Sequence, residues 1–136
     1  MSTLKTINVI HPSGATTNIV NDASGNITVG ASATITNYLV RGAPVTKTTN
    51  FTLAVTENWV ICNGSGTITA TLPAASSYTG REIMIKTIAA QTVVSASSNV
   101  VPLVGGAAGT AILAGTAGKW ATLVSDGTNW VIMQAA

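Results

Sequence analysis

Apolar and polar residues alternate along much of the chain, at the period of two that a half-buried β-strand requires. Residues 51–56 alternate Phe, Leu and Val with Thr and Ala, and residues 67–72 alternate Thr with Ile, Ala and Leu. Further short runs are rich in Val, Ile, Thr and Trp, which strands favour, and they lie at residues 7–10, 27–29, 83–88, 92–94, 119–125 and 130–133. No segment combines helical spacing with a capping residue over three turns. The pattern therefore predicts an all-β protein.

Segments rich in Gly, Asn and Asp separate these runs, and they lie at residues 22–26, 63–66, 115–118 and 126–129. Gly supplies positive φ angles in turns, and Asn and Asp side chains accept hydrogen bonds from the nearby backbone. The last segment joins two strand-like runs and predicts a β-hairpin. For the main part of the chain we expect a compact head that is an antiparallel β-sandwich or resembles a barrel.

Pro44 marks a boundary in this organisation. Proline holds the preceding residue in an extended conformation and cannot donate a hydrogen bond to a strand ladder. The runs before Pro44 are short and polar, and those after it are longer. We therefore expect residues 1–44 to form an N-terminal β arm that serves for attachment, and residues 45–136 to form the head.

The chain is poor in charge, since only 7% of its 136 residues are charged and 46% are hydrophobic. About a quarter of a typical soluble chain is charged. A monomer of this composition would expose wide apolar areas, which burial between subunits removes. We predict an obligate oligomer, and a monomer covered by neutral Thr, Ser, Asn and Gly is the alternative. The net charge of +2 comes from scattered residues, so we expect no nucleic-acid partner.

The N-terminal residues lack the basic start and long apolar segment of a signal peptide. No apolar run approaches the roughly 20 residues of a membrane-spanning helix. We therefore expect synthesis and assembly in the cytoplasm, with no membrane partner.

Groups that could support catalysis are sparse. The one histidine, His11, precedes Pro12 in a predicted turn, and the four acidic residues are dispersed. Acid–base and nucleophilic catalysis need such groups held together with an orienting partner. Residues 105–109 lack the Lys and Ser/Thr of a phosphate-binding loop, Asp126 alone has too few oxygens for calcium, and Cys62 lies in an apolar run. We predict no enzyme activity, no cofactor and no metal site.

The three tryptophans all lie in the predicted head, at Trp59, Trp120 and Trp130. Indole rings on one surface could stack against the apolar faces of sugars, and Trp120 and Trp130 are the candidates for such an aromatic platform. Each tryptophan, however, is flanked by Val, Ile or Ala in a strand-like run, the setting in which indoles are usually buried. Packing in the core is therefore the favoured interpretation.

Two stretches of the head support a resemblance to a known family: residues 71–75 are TLPAA and residues 125–130 are SDGTNW. With their surroundings, over residues 50–136, they resemble a C-terminal β domain common in phage tail-fibre and other virion structural proteins. The first thirty residues, MSTLKTINVIHPSGATTNIVNDASGNITVG, resemble the opening of cyanophage and marine-phage virion proteins. The resemblance implies a homotrimer of β domains, with the N-terminal part fixed to the virion and the C-terminal part facing outward.

Fibre proteins of this type carry a long shaft between their two ends, but here only residues 31–50 lie between the first thirty residues and the head-domain region 50–136. A squat trimer with an anchoring arm is typical of a capsid decoration, or cement, protein on the outer surface of the virion, assembled in the host cytoplasm. Its expected partners are itself and the major capsid protein or another virion protein, which the arm would contact through Leu4, Ile7, Val9, Ile10 and Ile19. The alternative is a short receptor-binding tail or head fibre, for which a host-surface glycan is a candidate partner.

Overall fold

The computed structural model describes residues 40–136 and, before them, the strands β1 (Val9–Ile10), β2 (Thr17–Asn21) and β3 (Ile27–Val29). The chain divides into two compact units, residues 1–39 and residues 40–136. In the first unit the three strands form an antiparallel sheet in the order β1-β2-β3. Val9 lies opposite Ile19, and Ile19 lies opposite Val29 on its other side.

The second unit contains ten strands and one 3₁₀ turn at Ala75–Ser77. The strands are β4 (Val45–Lys47), β5 (Phe51–Thr52), β6 (Trp59–Cys62), β7 (Gly66–Thr71), β8 (Glu82–Thr87), β9 (Gln91–Ser95), β10 (Val100–Val101), β11 (Ala111–Leu113), β12 (Trp120–Ser125) and β13 (Trp130–Ala135). No α-helix occurs in residues 40–136, which confirms the all-β prediction. No helix long and apolar enough to cross a membrane occurs in the part of the chain that the structure describes.

The strands of the second unit form two sheets, and the chain alternates between them from β4 to β9. The six-stranded sheet has the order β10-β13-β12-β8-β6-β4, and the four-stranded sheet has the order β11-β9-β7-β5. Within the sheets β4, β6 and β8 run parallel, as do β5, β7 and β9. Three successive coils, each with one strand per sheet, therefore begin the head.

The predicted antiparallel head is wrong, because both sheets are mixed. The turns after β4, β6 and β8 carry the chain across to the opposite sheet instead of back along the same one. The next strand of the same sheet is thus reached only after a full coil, and it runs parallel to the last. Period-two alternation divides the side chains of a strand between its two faces, but the pattern is the same whether the neighbouring strand is parallel or antiparallel.

The C-terminal part of the head is mainly antiparallel. β12 pairs with β8 and with β13, and the turn at residues 126–129 joins β12 to β13 as the predicted hairpin. β11 pairs antiparallel with β9, and β10 pairs parallel with β13. β12 therefore lies beside β8 in the six-stranded sheet, and β11 lies beside β9 in the four-stranded sheet.

One hydrophobic core lies between the two sheets. Inward side chains of the six-stranded sheet, such as Val60, Ile83 and Ile85, share it with Ile68 and Val93 of the four-stranded sheet. Fully burying an aliphatic side chain of this size contributes about 1.5–3 kcal/mol. In β8 burial alternates, since Ile83 and Ile85 are buried whereas Glu82 and Met84 are half-buried. The same alternation leaves a separate set of side chains on the outer face.

Candidate interaction surfaces

Three of the residues predicted to attach the arm lie in the sheet of the first unit. Val9 and Ile10 form β1, and Ile19 lies in β2 directly opposite Val9. Leu4 and Ile7 lie outside the described residues. The sheet thus brings Val9 next to Ile19, and the attachment role of the five residues stays a prediction.

The two tryptophans of the candidate platform lie on different sides of the six-stranded sheet. Trp130 is fully buried in the core, and its Nε1 donates a hydrogen bond to the carbonyl oxygen of Pro73 at 2.9 Å. Trp120 is half-buried and pairs in register with the exposed Lys86. A platform that needs both rings on one surface is therefore not formed.

The outer face of the six-stranded sheet carries many apolar side chains, although this face of a two-sheet protein usually carries polar ones; Glu82, Lys86 and Thr122 also lie on it. Strand register places on it half-buried side chains from four neighbouring strands. We call this surface the apolar face, and it consists of Trp59, Ile61, Met84, Trp120, Val124 and Val131. The sequence signal for it is the unbroken apolar run of β6, Trp-Val-Ile-Cys, in which both alternating sets are hydrophobic.

A cleft of about 180 Å³ opens on the apolar face beside the edge strand β4. We call it the edge cleft, and its lining residues are Pro44, Trp59, Val60, Ile61, Met84 and Lys86. Trp59 lies opposite Met84, and Ile61 lies opposite Lys86. Only Lys86 brings a charge, so the cleft suits an uncharged apolar group.

The outer face of the four-stranded sheet differs from the apolar face. Its outward positions are occupied mainly by threonine, with Thr52 opposite Thr71 and Thr67 opposite Thr92. A shallow hollow of about 320 Å³ lies there, lined by Asn50, Phe51, Thr52, Thr69 and Thr71. This surface offers hydroxyl and amide groups but no charge, and the Phe51 side chain packs against the core.

A third surface is the loop between β10 and β11. The N–H of Gly105 donates to the carbonyl oxygen of Pro102 at 2.9 Å, so Leu103 and Val104 form the centre of a β-turn. Leu103 is 52% exposed and Val104 is 95% exposed. Gly105 has a φ of 80°, which favours glycine at the end of this turn. We call Leu103 and Val104 the apolar tip.

Two groups of charged side chains have structural roles. Arg81 donates from Nη2 to the carbonyl oxygens of Ala54 (3.0 Å) and Glu57 (2.9 Å), and from Nε to Oδ1 of Asn58 (3.2 Å). Burial lowers the pKa of the Arg81 guanidinium. The side chain of Arg81 therefore holds the loop between β5 and β6.

The second group joins the edge strand β4 to the same loop. Nζ of Lys47 lies 2.7 Å from Oε1 of Glu57, and the backbone N–H of Ala54 donates to Oε2 of Glu57 at 2.9 Å. The hydrogen bond from Lys47, followed by that from Ala54, lowers the pKa of the Glu57 carboxyl. Lys47 also lies 5.4 Å from the centre of the Phe51 ring.

The side chains that were candidates for catalysis or metal binding either lie apart from one another or have structural roles. Cys62 is fully buried, and desolvation raises the pKa of its thiol to about 11. Oδ1 of Asp126 accepts hydrogen bonds from the N–H groups of Thr128 (2.7 Å) and Asn129 (2.6 Å), as a turn residue does. Within the described residues no three His, Cys, Asp or Glu side chains come together as a metal site would require. His11 lies outside the described residues.

Comparisons with known proteins found no similar protein. No protein-family model matches the chain, and no curated protein or solved structure is detectably similar to it. The physical properties of the surfaces therefore carry the functional argument.

Proposed function

We propose that this protein is a structural subunit of a bacteriophage particle, a homotrimer that binds the outer surface of the capsid as a decoration protein. The resemblance of residues 1–30 and 50–136 to virion proteins suggests the particle, and the structural observation that supports self-association is the apolar face. It presents two tryptophans and four aliphatic side chains where a solvated sheet would present polar ones. Contiguous apolar surface of this kind is characteristic of sites that bind another protein.

The apolar face has the chemistry of a subunit interface. Tryptophan and methionine are enriched in interface cores, and charged residues are depleted there. Association costs an estimated 4–15 kcal/mol of translational and rotational freedom. Fully burying an exposed large side chain contributes about 1.5–3 kcal/mol, and the half-buried side chains of the apolar face contribute less each. Several such side chains buried together are needed for a stable oligomer, and the apolar face provides six.

The arm supplies the attachment in this proposal. Extended segments bind through main-chain hydrogen bonds and alternate apolar side chains, and three arms on one trimer raise the effective affinity for a shell. Leu4, Ile7, Val9, Ile10 and Ile19 are the apolar residues of the arm that we assign to this contact. Weak single contacts would then give stable decoration, which lets a subunit stiffen the shell without any chemistry.

Deletion of residues 2–20 tests the attachment. We expect the truncated protein to remain a folded trimer that no longer sediments with undecorated capsids, whereas the full chain does. The oligomeric mass and the circular dichroism spectrum of the truncated protein are the controls for folding. Normal decoration by the truncated protein would contradict the role of the arm.

A short receptor-binding fibre is the second candidate, and the threonine-lined hollow favours it. Threonine hydroxyls and the Asn50 amide are groups that bind neutral sugars, so the hollow could accept a host-surface glycan. Electron microscopy of particles carrying labelled protein separates the two functions. A decoration protein covers the shell in hundreds of copies, and a fibre occupies a few positions.

A further inference from the structure

Backbone hydrogen bonds fix the conformation of the loop that carries the apolar tip. Val100 and Gly109 exchange two backbone hydrogen bonds of 2.9 Å at the base of the loop, and the turn at Gly105 closes its end. Between these points Leu103 and Val104 face solvent, with Val104 95% exposed. A fully solvated branched side chain at the centre of an ordered turn gains nothing in the isolated subunit.

The stretch of sequence that contains the apolar tip has no charged residue. Residues 87–118 contain no Asp, Glu, Lys, Arg or His. Gly105 and Gly106 have open space around their Cα atoms, so another surface can approach the backbone closely. The apolar tip can therefore enter an apolar site without bringing a charge into it, which would cost several kcal/mol.

The edge cleft has the size and lining to receive the apolar tip. Its volume is about 180 Å³, and an apolar cavity of roughly 150 Å³ is enough to hold a benzene molecule. Trp59, Ile61 and Met84 supply apolar walls. One branched aliphatic side chain fits such a space, and a second can cover its mouth.

The apolar tip and the edge cleft lie at opposite edges of the same sheet. β10, which leads into the tip, is one end of the strand order, and β4, beside the cleft, is the other. Five spacings of about 4.8 Å separate these strands, or roughly 24 Å. The tip of one subunit therefore cannot fill the cleft of the same subunit.

We propose that Leu103 and Val104 of one subunit insert into the edge cleft of a second copy of this chain, and that three such contacts close the homotrimer. This inference rests on the self-association in the proposed function and names its interface. A contact between two different patches is heterologous, and it generates a ring when the rotation between subunits closes. Each subunit then gives one tip and receives one, which leaves no tip or cleft unpaired.

A pair of engineered cysteines tests the contact in the full chain. Pro44→Cys places a thiol at the edge cleft and Val104→Cys places one at the apolar tip. Cα atoms more than about 7 Å apart cannot be bridged, so an oxidised disulfide between these sites joins two subunits. Cys62 is fully buried and does not compete. We expect a covalent trimer as the largest species on a non-reducing denaturing gel.

The matched control pairs Val104→Cys with Thr69→Cys, on the outer face of the other sheet, and we expect no covalent trimer from it. Absence of the trimer band from the Pro44→Cys, Val104→Cys protein would overturn the contact, and so would a ladder that continues past three subunits. Light scattering of the unmodified protein distinguishes a failure of this interface from a failure of the proposed self-association. A trimer without the cross-link overturns this interface alone, whereas a monomer overturns the proposed self-association as well.

Val104→Asp gives an independent measurement. Burying an unpaired carboxylate is unfavourable, so we expect the trimer to dissociate into folded monomers, with self-affinity reduced by more than about tenfold. Circular dichroism checks the fold, and Thr67→Asp, on the threonine face, is the control. If Val104→Asp stays trimeric but no longer binds capsids, the apolar tip contacts another virion protein and the inference is wrong.

Discussion

At the scale of single residues, Trp130 and Trp120 show how position in the sheet decides the role of an indole. Trp130 lies in register with Ser125 and Val100, faces the core, and satisfies its N–H through the Pro73 carbonyl. Trp120 lies on the outer side, next to Lys86. The first ring stabilises the subunit, and the second is available to a partner.

Truncating these two rings should have different effects. Trp130→Ala removes a fully buried side chain, and we expect it to lower the free energy of unfolding by about 3–5 kcal/mol. Trp120→Ala should lower it by less and should weaken self-association instead. Urea denaturation and light scattering of both variants measure the two effects. Equal destabilisation by the two substitutions, with unchanged oligomers, would contradict the assignment.

The ion pair of Lys47 and Glu57 predicts a pH dependence of stability. The pKa of Glu57 in the folded protein lies below its ordinary value of 4.5, so folding favours the ionised carboxylate. The stabilisation is present above the unfolded pKa and is lost as the pH falls through the folded pKa. We expect Glu57→Gln to lose about 1 kcal/mol or less at pH 7 and to show a weaker loss of stability in acid.

Urea denaturation of the native protein and of Glu57→Gln, between pH 7 and pH 3, measures this dependence. Asp126→Asn serves as a comparison, because hydrogen bonds from Asn129 and Thr128 also lower the pKa of Asp126. Parallel stability curves for the native protein and Glu57→Gln would show that the ion pair contributes nothing.

At the scale of elements, the three coils depend on close contact between successive turns. Gly64, in the turn between β6 and β7, packs so tightly that a Cβ atom there would lie 2.3 Å from the carbonyl oxygen of Thr48 and 2.9 Å from Cδ1 of Ile68. The first contact is with backbone, which cannot move aside cheaply. The turn after β4 and the turn after β6 are therefore stacked directly on each other.

Gly64→Ala should reveal this stacking. We expect it to lower the free energy of unfolding by about 1–3 kcal/mol, because the added methyl group must displace the backbone at Thr48. Gly109→Ala is the matched control, since a Cβ at Gly109 would meet nothing within 4 Å. Thermal unfolding of the two variants makes the comparison, and equal melting temperatures would contradict the tight packing at Gly64.

The sequence predicts the elements of the head better than their pairing. The strand-like runs of the sequence overlap β5, β7 to β9, β12 and β13, and the turn at residues 126–129 identifies the hairpin. Sheet membership could not be predicted, because a turn such as residues 63–65 permits a return to the same sheet or a crossing to the other one. The parallel coils follow from packing between distant residues, which local pattern does not contain.

The surfaces were predictable only in part. The unbroken apolar run of β6 indicates an apolar outer face, since Trp59 and Ile61 alternate with buried Val60 and Cys62. The apolar tip was not predicted, because the flanking Pro102 and Gly105 indicate a turn but do not say which of its side chains face solvent. Its exposure is set by the β-turn from Pro102 to Gly105. Trp130 was a platform candidate because alternation alone does not say which face of β13 is inward.

At the scale of the whole molecule, the head has two outer faces of different chemistry and few charges. The apolar face favours burial against another protein, and the threonine face favours contact with water or neutral ligands. With 7% charged residues in the chain, we expect solubility to increase when the apolar face is covered. Self-association is therefore the property that we propose to connect composition, fold and function.

A charge on the apolar face should break the assembly without breaking the fold. We expect Met84→Lys to dissociate the trimer, because an ammonium group would replace an apolar wall of the edge cleft and would lose its hydration when the cleft is covered. Thr69→Lys adds the same group to the threonine face and should leave the trimer intact. Analytical ultracentrifugation of both variants gives the masses. Dissociation by both substitutions, or by neither, would contradict the placing of the interface.

Multi-angle light scattering of the purified full chain, at a series of concentrations, measures whether the protein self-associates. We predict a particle of three times the 13.7 kDa subunit mass that does not dissociate on dilution, because the apolar faces are buried in it. A mass of 13.7 kDa at every concentration would rule out the proposed self-association.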